Sequence, residues 1–196
     1  MSSQIVVQRD ELVIRRMLDS PDDYELLVGW RNSPHVRNWW DPDEVPLTVA
    51  SAIEEYRPDT MPTALTTLCI VELRGVPVGF MQFYRWSSYG AEADEIGIRY
   101  DDTAWGIDVF IGERDALGRG LGTRMMELLS DYLETERHAS SIVLTTEVDN
   151  SAAIRCYEKA GFVRGPRVLD TDTRDGERVW AWVMTRSKTS TTPWPT

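Results

Sequence analysis

Polar and apolar positions alternate weakly over the first 15 or so residues, which predicts an edge strand there. A helix start follows at Ser20-Pro21-Asp22-Asp23. Ser20 can cap, Pro21 suits the first helical position, and Asp23 holds the capping-box position, with Asp in place of the preferred Glu. Tyr24, Leu27 and Val28 then share one helical face, closed by Trp30. A loop runs from Asn32 to Pro46, with Pro34, Trp39, Trp40 and Pro42 inside it. The stripe Val49, Ala52, Ile53, Tyr56 predicts a second helix starting at Thr48.

Strand material comes next. Leu68 to Leu73 is an apolar run, Arg74-Gly75 a turn, and Val76 to Tyr84 its hairpin partner. Trp86 to Asp102 reads as a polar loop with a short strand at Glu95 to Arg99. Ala104 to Gly112 reads as a buried strand with one charge, Asp108, in its middle. The glycine loop Gly118-Arg119-Gly120-Leu121-Gly122 leads into a helix with Leu121, Met125, Leu128, Leu129, Tyr132 and Leu133 on one side. Ile142 to Thr145 is a short strand. Asn150 caps a further helix that stops at Gly161, and Val179 to Thr185 is a last strand, covered on both faces. The order predicts one α/β layered domain on a mixed sheet over residues 1–186, followed by a loose tail, 187–196. No internal repeat and no composition break divides it.

Composition narrows the class. The 196 residues are 42 % hydrophobic and include eight Trp, which excludes a disordered chain. Basic residues number 21 and acidic residues 32, for a net charge of -11. That balance argues against a nucleic-acid or anionic-membrane partner and suits a cationic substrate, although net charge often serves solubility alone. Cys69 and Cys156 are too few for a disulfide scaffold and lack zinc spacing, and no metal site is visible. The first residues carry no secretory signal, and no run reaches the roughly 18 apolar residues of a membrane span. The default setting is cytoplasmic.

Two segments carry chemistry. In the first, strand, glycine loop and helix follow one another from Trp105 to Leu133. A helix N-terminus offers free N–H groups and partial positive charge to a phosphate, and Gly118, Gly120 and Gly122 let the backbone approach it. The loop is neither an ATP-binding loop, having no Gly-Lys-Ser/Thr, nor a dinucleotide fingerprint, its glycine spacing being wrong. A tight turn is the plain alternative. The second segment, Asn150 to Phe162, is a capped helix whose small residues Ala152, Ala153 and Cys156 suit close packing, with Tyr157 as a core residue or more.

Together these segments resemble the GNAT acyltransferase superfamily. Its loop has the form Gln/Arg-x-x-Gly-x-Gly/Ala, matched here by Leu117-Gly118-Arg119-Gly120-Leu121-Gly122-Thr123, with Leu117 departing at the first position. Its second pattern, Asn-x-x-Ala-x-x-x-Tyr-x-x-x-Gly-Phe, is met by Asn150, Ala153, Tyr157, Gly161 and Phe162. Gly106-Ile107-Asp108, LGRGLGTRMM, AIRCYEKAGF and the Trp39-Trp40 loop further resemble the aminoglycoside 6′-N-acetyltransferases. The resemblance implies the GNAT fold, with a mixed, mostly antiparallel central sheet flanked by helices. It implies acetyl transfer from acetyl-CoA to an amine of a polycationic aminoglycoside in a ternary complex, which confers resistance. Val109, Phe110 and Ile111, the stretch Leu117 to Thr123, Asn150 and Ala153 would hold acetyl-CoA. Asp108 would deprotonate the amine and Tyr157 would serve the leaving thiolate. Trp39, Trp40, Asp101, Asp102, Glu147 and Asp175 would meet the acceptor. A further family carboxylate falls on Thr145, where Glu147 is a possible substitute. Bottom-up chemistry agrees for Asp108: an amine must lose a proton before attacking a thioester, and a charge inside an apolar strand is costly unless it faces a cleft or is paired, for instance with Arg99. The rivals are a GNAT enzyme acting on a hydroxamate siderophore precursor or a protein amine, and a non-catalytic CoA-binding module. Oligomeric state stays open.

Overall fold

The computed structural model describes residues 4–98 and 100–187. Arg99, the tail beyond Ser187 and the side chain of Asp172 lie outside the described residues. The N-terminal alternation resolves into a hairpin rather than one edge strand, β1 (Ile5–Arg9) and β2 (Leu12–Arg16). Asp10 adopts φ 54 between them, a left-handed conformation that Asp tolerates better than most residues.

Helix α1 (Pro21–Arg31) starts as expected, with the Ser20 hydroxyl accepting from the Asp23 amide. The Asp23 carboxylate does not return to the cap. It accepts from Leu18 N–H at 2.7 Å and takes both Arg15 nitrogens at 2.7 and 2.8 Å, because a charge 3 % exposed requires a counter-charge. A short helix α2 (Pro34–Arg37) lies within the expected loop, and α3 (Val49–Tyr56) carries a reciprocal Thr48–Ser51 cap. Strands β3 (Thr66–Leu73) and β4 (Val76–Arg85) pair through Arg74 (φ 56) and Gly75 (φ 75), the left-handed pair that a two-residue hairpin demands.

Two expectations need correction. The strand expected at Glu95 to Arg99 is absent from its described part, and α4 (Gly90–Ile96) occupies the region. Ala93 and Ile96, three residues apart, bury one helical face beside Trp86 and Val143, and Gly97 at φ 72 ends the helix. The second correction is β7 (Val163–Arg174), a twelve-residue strand absent from the hydrophobic pattern. Gly165, Pro166 and several charges interrupt its alternation, and it forms the sheet edge, where exposed polar residues are tolerated. The Asp175-Gly176 turn (φ 55 and 79) returns it into β8 (Glu177–Ser187).

The remaining elements are β5 (Ala104–Ile111), α5 (Leu121–Glu136), β6 (Ser141–Glu147) and α6 (Ser151–Lys159). All eight strands form one sheet in the order β1-β2-β3-β4-β5-β6-β8-β7. Among the described strands only β5 and β6 pair in parallel. One face of the sheet packs Ile107, Met81 and Leu144 against Met125 and Leu129 of α5. The other face carries a second cluster, with Phe80 and Phe110 stacked at 5.3 Å and Trp40 edge-on to both. No described helix is long and apolar enough to cross a membrane.

One feature of the register opens the sheet. Strands β5 and β6 pair only at Ala104↔Ser141 and Trp105↔Ile142. Beyond those positions they part, so the later residues of β5 have no neighbour on that side. The gap joins the two faces of the sheet.

Candidate active site

A cleft of about 1210 Å³ occupies this gap. One end is built by β5, the glycine loop and the starts of two helices. Val109, Phe110, Ile111, Leu117, Gly118, Gly120, Leu121, Gly122 and Thr123 line it, with Asn150 and Ala153 opposite. Gly118 and Gly120 have φ of 71° and 76°, and Gly120 is the N-cap of α5. The first helical bond runs from Arg124 N–H to the Gly120 carbonyl, so the amides of Leu121, Gly122 and Thr123 have no helical acceptor. A sixteen-residue helix therefore begins on the cleft with free donors and a positive dipole end. Gly122 serves packing instead: a Cβ there would lie 3.0 Å from Cys156 Sγ of α6. Asn150 caps α6 through the Ala153 amide at 3.1 Å. Arg114, Arg155 and Lys159 add positive charge to this end, whereas Arg119 is exposed and does not line the cleft.

Asp108 sits where the two ends meet. Side chains alternate along β5, so Trp105, Ile107, Val109 and Ile111 face α5 while Asp108 and Phe110 face the opposite side. Its cross-strand partner Gln82 donates from Nε2 to Oδ2 at 2.8 Å. Tyr84 lies across Gly106, where a Cβ would come within 2.5 Å of the ring, which explains the glycine before Ile107-Asp108. No described residue forms an ion pair with Asp108, and Arg99 lies outside the described residues. Burial raises the Asp108 carboxyl to about 6; the Gln82 bond opposes this, and the charges of Glu92, Asp170 and Asp41 add to it. Tyr157 lines the cleft from α6. Burial, and then the charges of Cys156 and Asp108, push its phenol well up, so it holds its proton.

The far end is acidic and aromatic. Asp41, Glu55, Asp59, Glu92, Glu147 and Asp170 line it, with Tyr84, Trp86 and Tyr89. Of the Trp pair, Trp40 is anchored against Phe80 and Phe110, while Trp39 is 40 % exposed with the Arg174 guanidinium over its ring. Both reach the cleft. Thr145 and Glu147 also reach it, but Glu147 is ion-paired to Arg174 at 2.8 Å.

Three expected acceptor residues are not brought together with the rest. The Asp101 carboxylate accepts from Thr103 N–H and Oγ1 at 2.7 Å and from Ser140 Oγ at 3.0 Å, bracing the point where β5 and β6 first pair. Asp102 is exposed, and its carbonyl accepts from Arg85. Asp175 sits at the β7–β8 turn, where its amide donates to Asp43 at 2.8 Å. None of the three lines the cleft. Sequence reasoning missed Asp170, because it lies on the unassigned strand β7. The available signal was its two-residue spacing from Val168, which is packed on the same face.

Residues 19–169 match the family described as Acetyltransferase (GNAT) domain. The chain is 32 % identical over 188 residues to the aminoglycoside N(6′)-acetyltransferase type 1 of Klebsiella pneumoniae, covering 94 % of this chain and 88 % of that protein. A solved structure of AAC(6′)-Ib with ribostamycin and coenzyme A superposes with a TM-score of 0.79 at 29 % identity, over 94 % of this chain and all of that one. A second, with coenzyme A and kanamycin, gives 0.77 at 30 % identity, over 90 % of this chain and 95 % of that one. A sheet parted between its two parallel strands, a glycine-capped helix at the gap and a family match over most of the chain lead to one conclusion: the chain belongs to the GNAT acetyltransferase family.

Proposed function

We propose that the protein transfers the acetyl group of acetyl-CoA to the 6′-amine of an aminoglycoside. The observation that carries this reading is the division of charge within one cleft. Arg114, Arg155, Lys159 and the free amides of α5 cluster at the end suited to a polyanionic donor. Carboxylates and aromatic rings cluster at the end suited to a polycationic sugar. The 6′ position rests on the likeness to the N(6′)-acetyltransferases.

In this reading Leu121, Gly122 and Thr123 donate their amides to the pyrophosphate, and the unpaired edge of β5 faces the arm that follows. Acetyl-CoA supplies an activated thioester. Asp108, half-buried and with a carboxyl near 6, is ionised at neutral pH and accepts the proton of the attacking amine, directly or through one water. Tyr157 holds a proton beside the leaving sulfur. Replacing Tyr157 by Phe is expected to lower kcat about 10- to 100-fold while acetyl-CoA affinity is nearly kept. Wild-type turnover in that variant would reduce Tyr157 to packing.

The acceptor end also predicts a salt response. Exposed charge pairs are screened beyond about 10 Å at 0.1 M ionic strength, so the KM of a polycationic acceptor should rise with salt. The KM of acetyl-CoA should follow a different curve, because backbone amides contribute to its site. An acceptor KM flat from low to high salt would contradict electrostatic capture. The function itself is tested by thiol release from acetyl-CoA with kanamycin, tobramycin, gentamicin, a hydroxylated lysine derivative and a peptide. Turnover restricted to the last two would overturn the aminoglycoside reading.

A further inference from the structure

Several buried or cleft-facing carboxylates in this fold have a cationic partner. Asp23 is held by Arg15, Asp41 by Arg31 and Glu147 by Arg174. Asp170 differs. It is 6 % exposed, on the floor of the cleft, and has no ion pair among the described residues. Its Oδ1 accepts only from the adjoining Thr171, from N–H at 2.8 Å and from Oγ1 at 3.5 Å, and Oδ2 has no described partner. A guanidinium is within reach of the same stretch but is spent elsewhere. Arg178 donates to the carbonyls of Asp170 and Leu169 at 2.5 and 2.7 Å and approaches Glu95 at 3.3 Å. Glu92 stands at the exposed lip on α4, which packs against β7, and its carboxyl is raised first by partial burial and then by the charge of Asp170. A buried carboxylate without a counter-charge is costly, and no described side chain supplies the cation. A metal ion is a poor candidate, since no three His, Cys, Asp or Glu side chains converge among the described residues.

We propose that Asp170 determines acceptor specificity by binding a second ammonium group of the acceptor, with Glu92 closing over it, while the reacting amine meets Asp108. The proposal rests on the aminoglycoside reading and adds to it. Aminoglycoside recognition here shifts from Thr145 on β6 and the Asp175 turn to a carboxylate on β7, and acceptors with one amine gain nothing from it.

The test compares two acceptors, kanamycin and a 6-amino-6-deoxyhexoside with a single amine, across the wild type, Asp170→Asn and Glu92→Gln. Asparagine retains the Thr171 contact and the side-chain volume. The ratio of kcat/KM for kanamycin over the monoamine should fall about 10- to 100-fold in Asp170→Asn, mostly through KM, as expected for loss of a charge-assisted contact. Glu92→Gln should lower it about three- to tenfold, its contact being exposed to solvent. A purely structural Asp170 would lower both acceptors alike and leave the ratio at the wild-type value, which overturns the proposal. If Asp170→Asn does not fold, Glu92→Gln at the lip carries the test, and an unchanged ratio there overturns it. A wild-type enzyme inactive on kanamycin overturns the aminoglycoside reading and this proposal with it. Wild-type activity with unaltered variant ratios overturns only the second ammonium site.

Discussion

Asp108→Asn should lose about two to four orders of magnitude in kcat, the usual contribution of a positioned base, while binding acetyl-CoA almost as tightly as wild type. Asparagine still accepts the Gln82 amide, so the geometry at 2.8 Å survives and only the proton acceptor and one charge are removed. Stability should move the other way. The Asp108 carboxyl lies near 6 in the fold against an ordinary 3.8, chiefly because burial disfavours its charge. A group raised on folding stabilises the protein fully below its unfolded value, and that stability is lost as pH rises through its folded value. At pH 7.5 the ionised Asp108 thus costs on the order of 2–3 kcal/mol, and Asp108→Asn should melt at the same temperature as wild type or higher. Wild-type kcat/KM should fall on acidification with a midpoint near 6, and the kcat profile should have a lower midpoint, because a bound ammonium favours the ionised carboxylate. Melting curves and pH profiles on one preparation check all of this. A folded, fully active Asp108→Asn enzyme would remove the base assignment, and a clear loss of stability with turnover kept would make Asp108 a structural charge.

The donor end of the site was readable from the chain because it is local. A strand, a glycine loop, a helix start and a second capped helix each lie within a few residues, and Gly118, Gly120 and Asn150 have conformations that sequence rules anticipate. The acceptor end is assembled from the loop after α2, from α3, β4, α4, β6 and β7, elements distant in the chain, and no local rule aligns them. Asp101 illustrates the difficulty. It lies seven residues before Asp108 in an acidic stretch, yet its carboxylate is consumed by Thr103 and Ser140 at the root of the β5–β6 gap. Asp170 illustrates the converse, a functional candidate on an edge strand whose polar and proline-broken pattern concealed it. Short helix α4 was misread for the same reason. Its two apolar residues, Ala93 and Ile96, are too few to establish a period, and tertiary burial decides.

Gly120→Glu should abolish acetyl-CoA binding. Gly120 combines three constraints: it caps α5, it holds φ at 76°, and it lies on the cleft directly before the three free amides. Space is not the obstacle, since a Cβ there meets nothing within 4 Å. A non-glycine residue at this φ costs about 1–2 kcal/mol, so Gly120→Ala isolates the backbone contribution and should weaken acetyl-CoA binding by no more than about thirtyfold. Glutamate adds a negative charge where the helix dipole and unpaired N–H groups attract an anion, and its side chain can occupy those donors itself. The loss should then exceed Gly120→Ala by at least about a hundredfold, beyond what calorimetry detects at ordinary protein concentrations, and high salt should restore part of it. Equal losses in the two variants would mean that conformation alone matters at Gly120. Unchanged affinity in a folded Gly120→Glu protein would mean that the pyrophosphate does not sit at the start of α5.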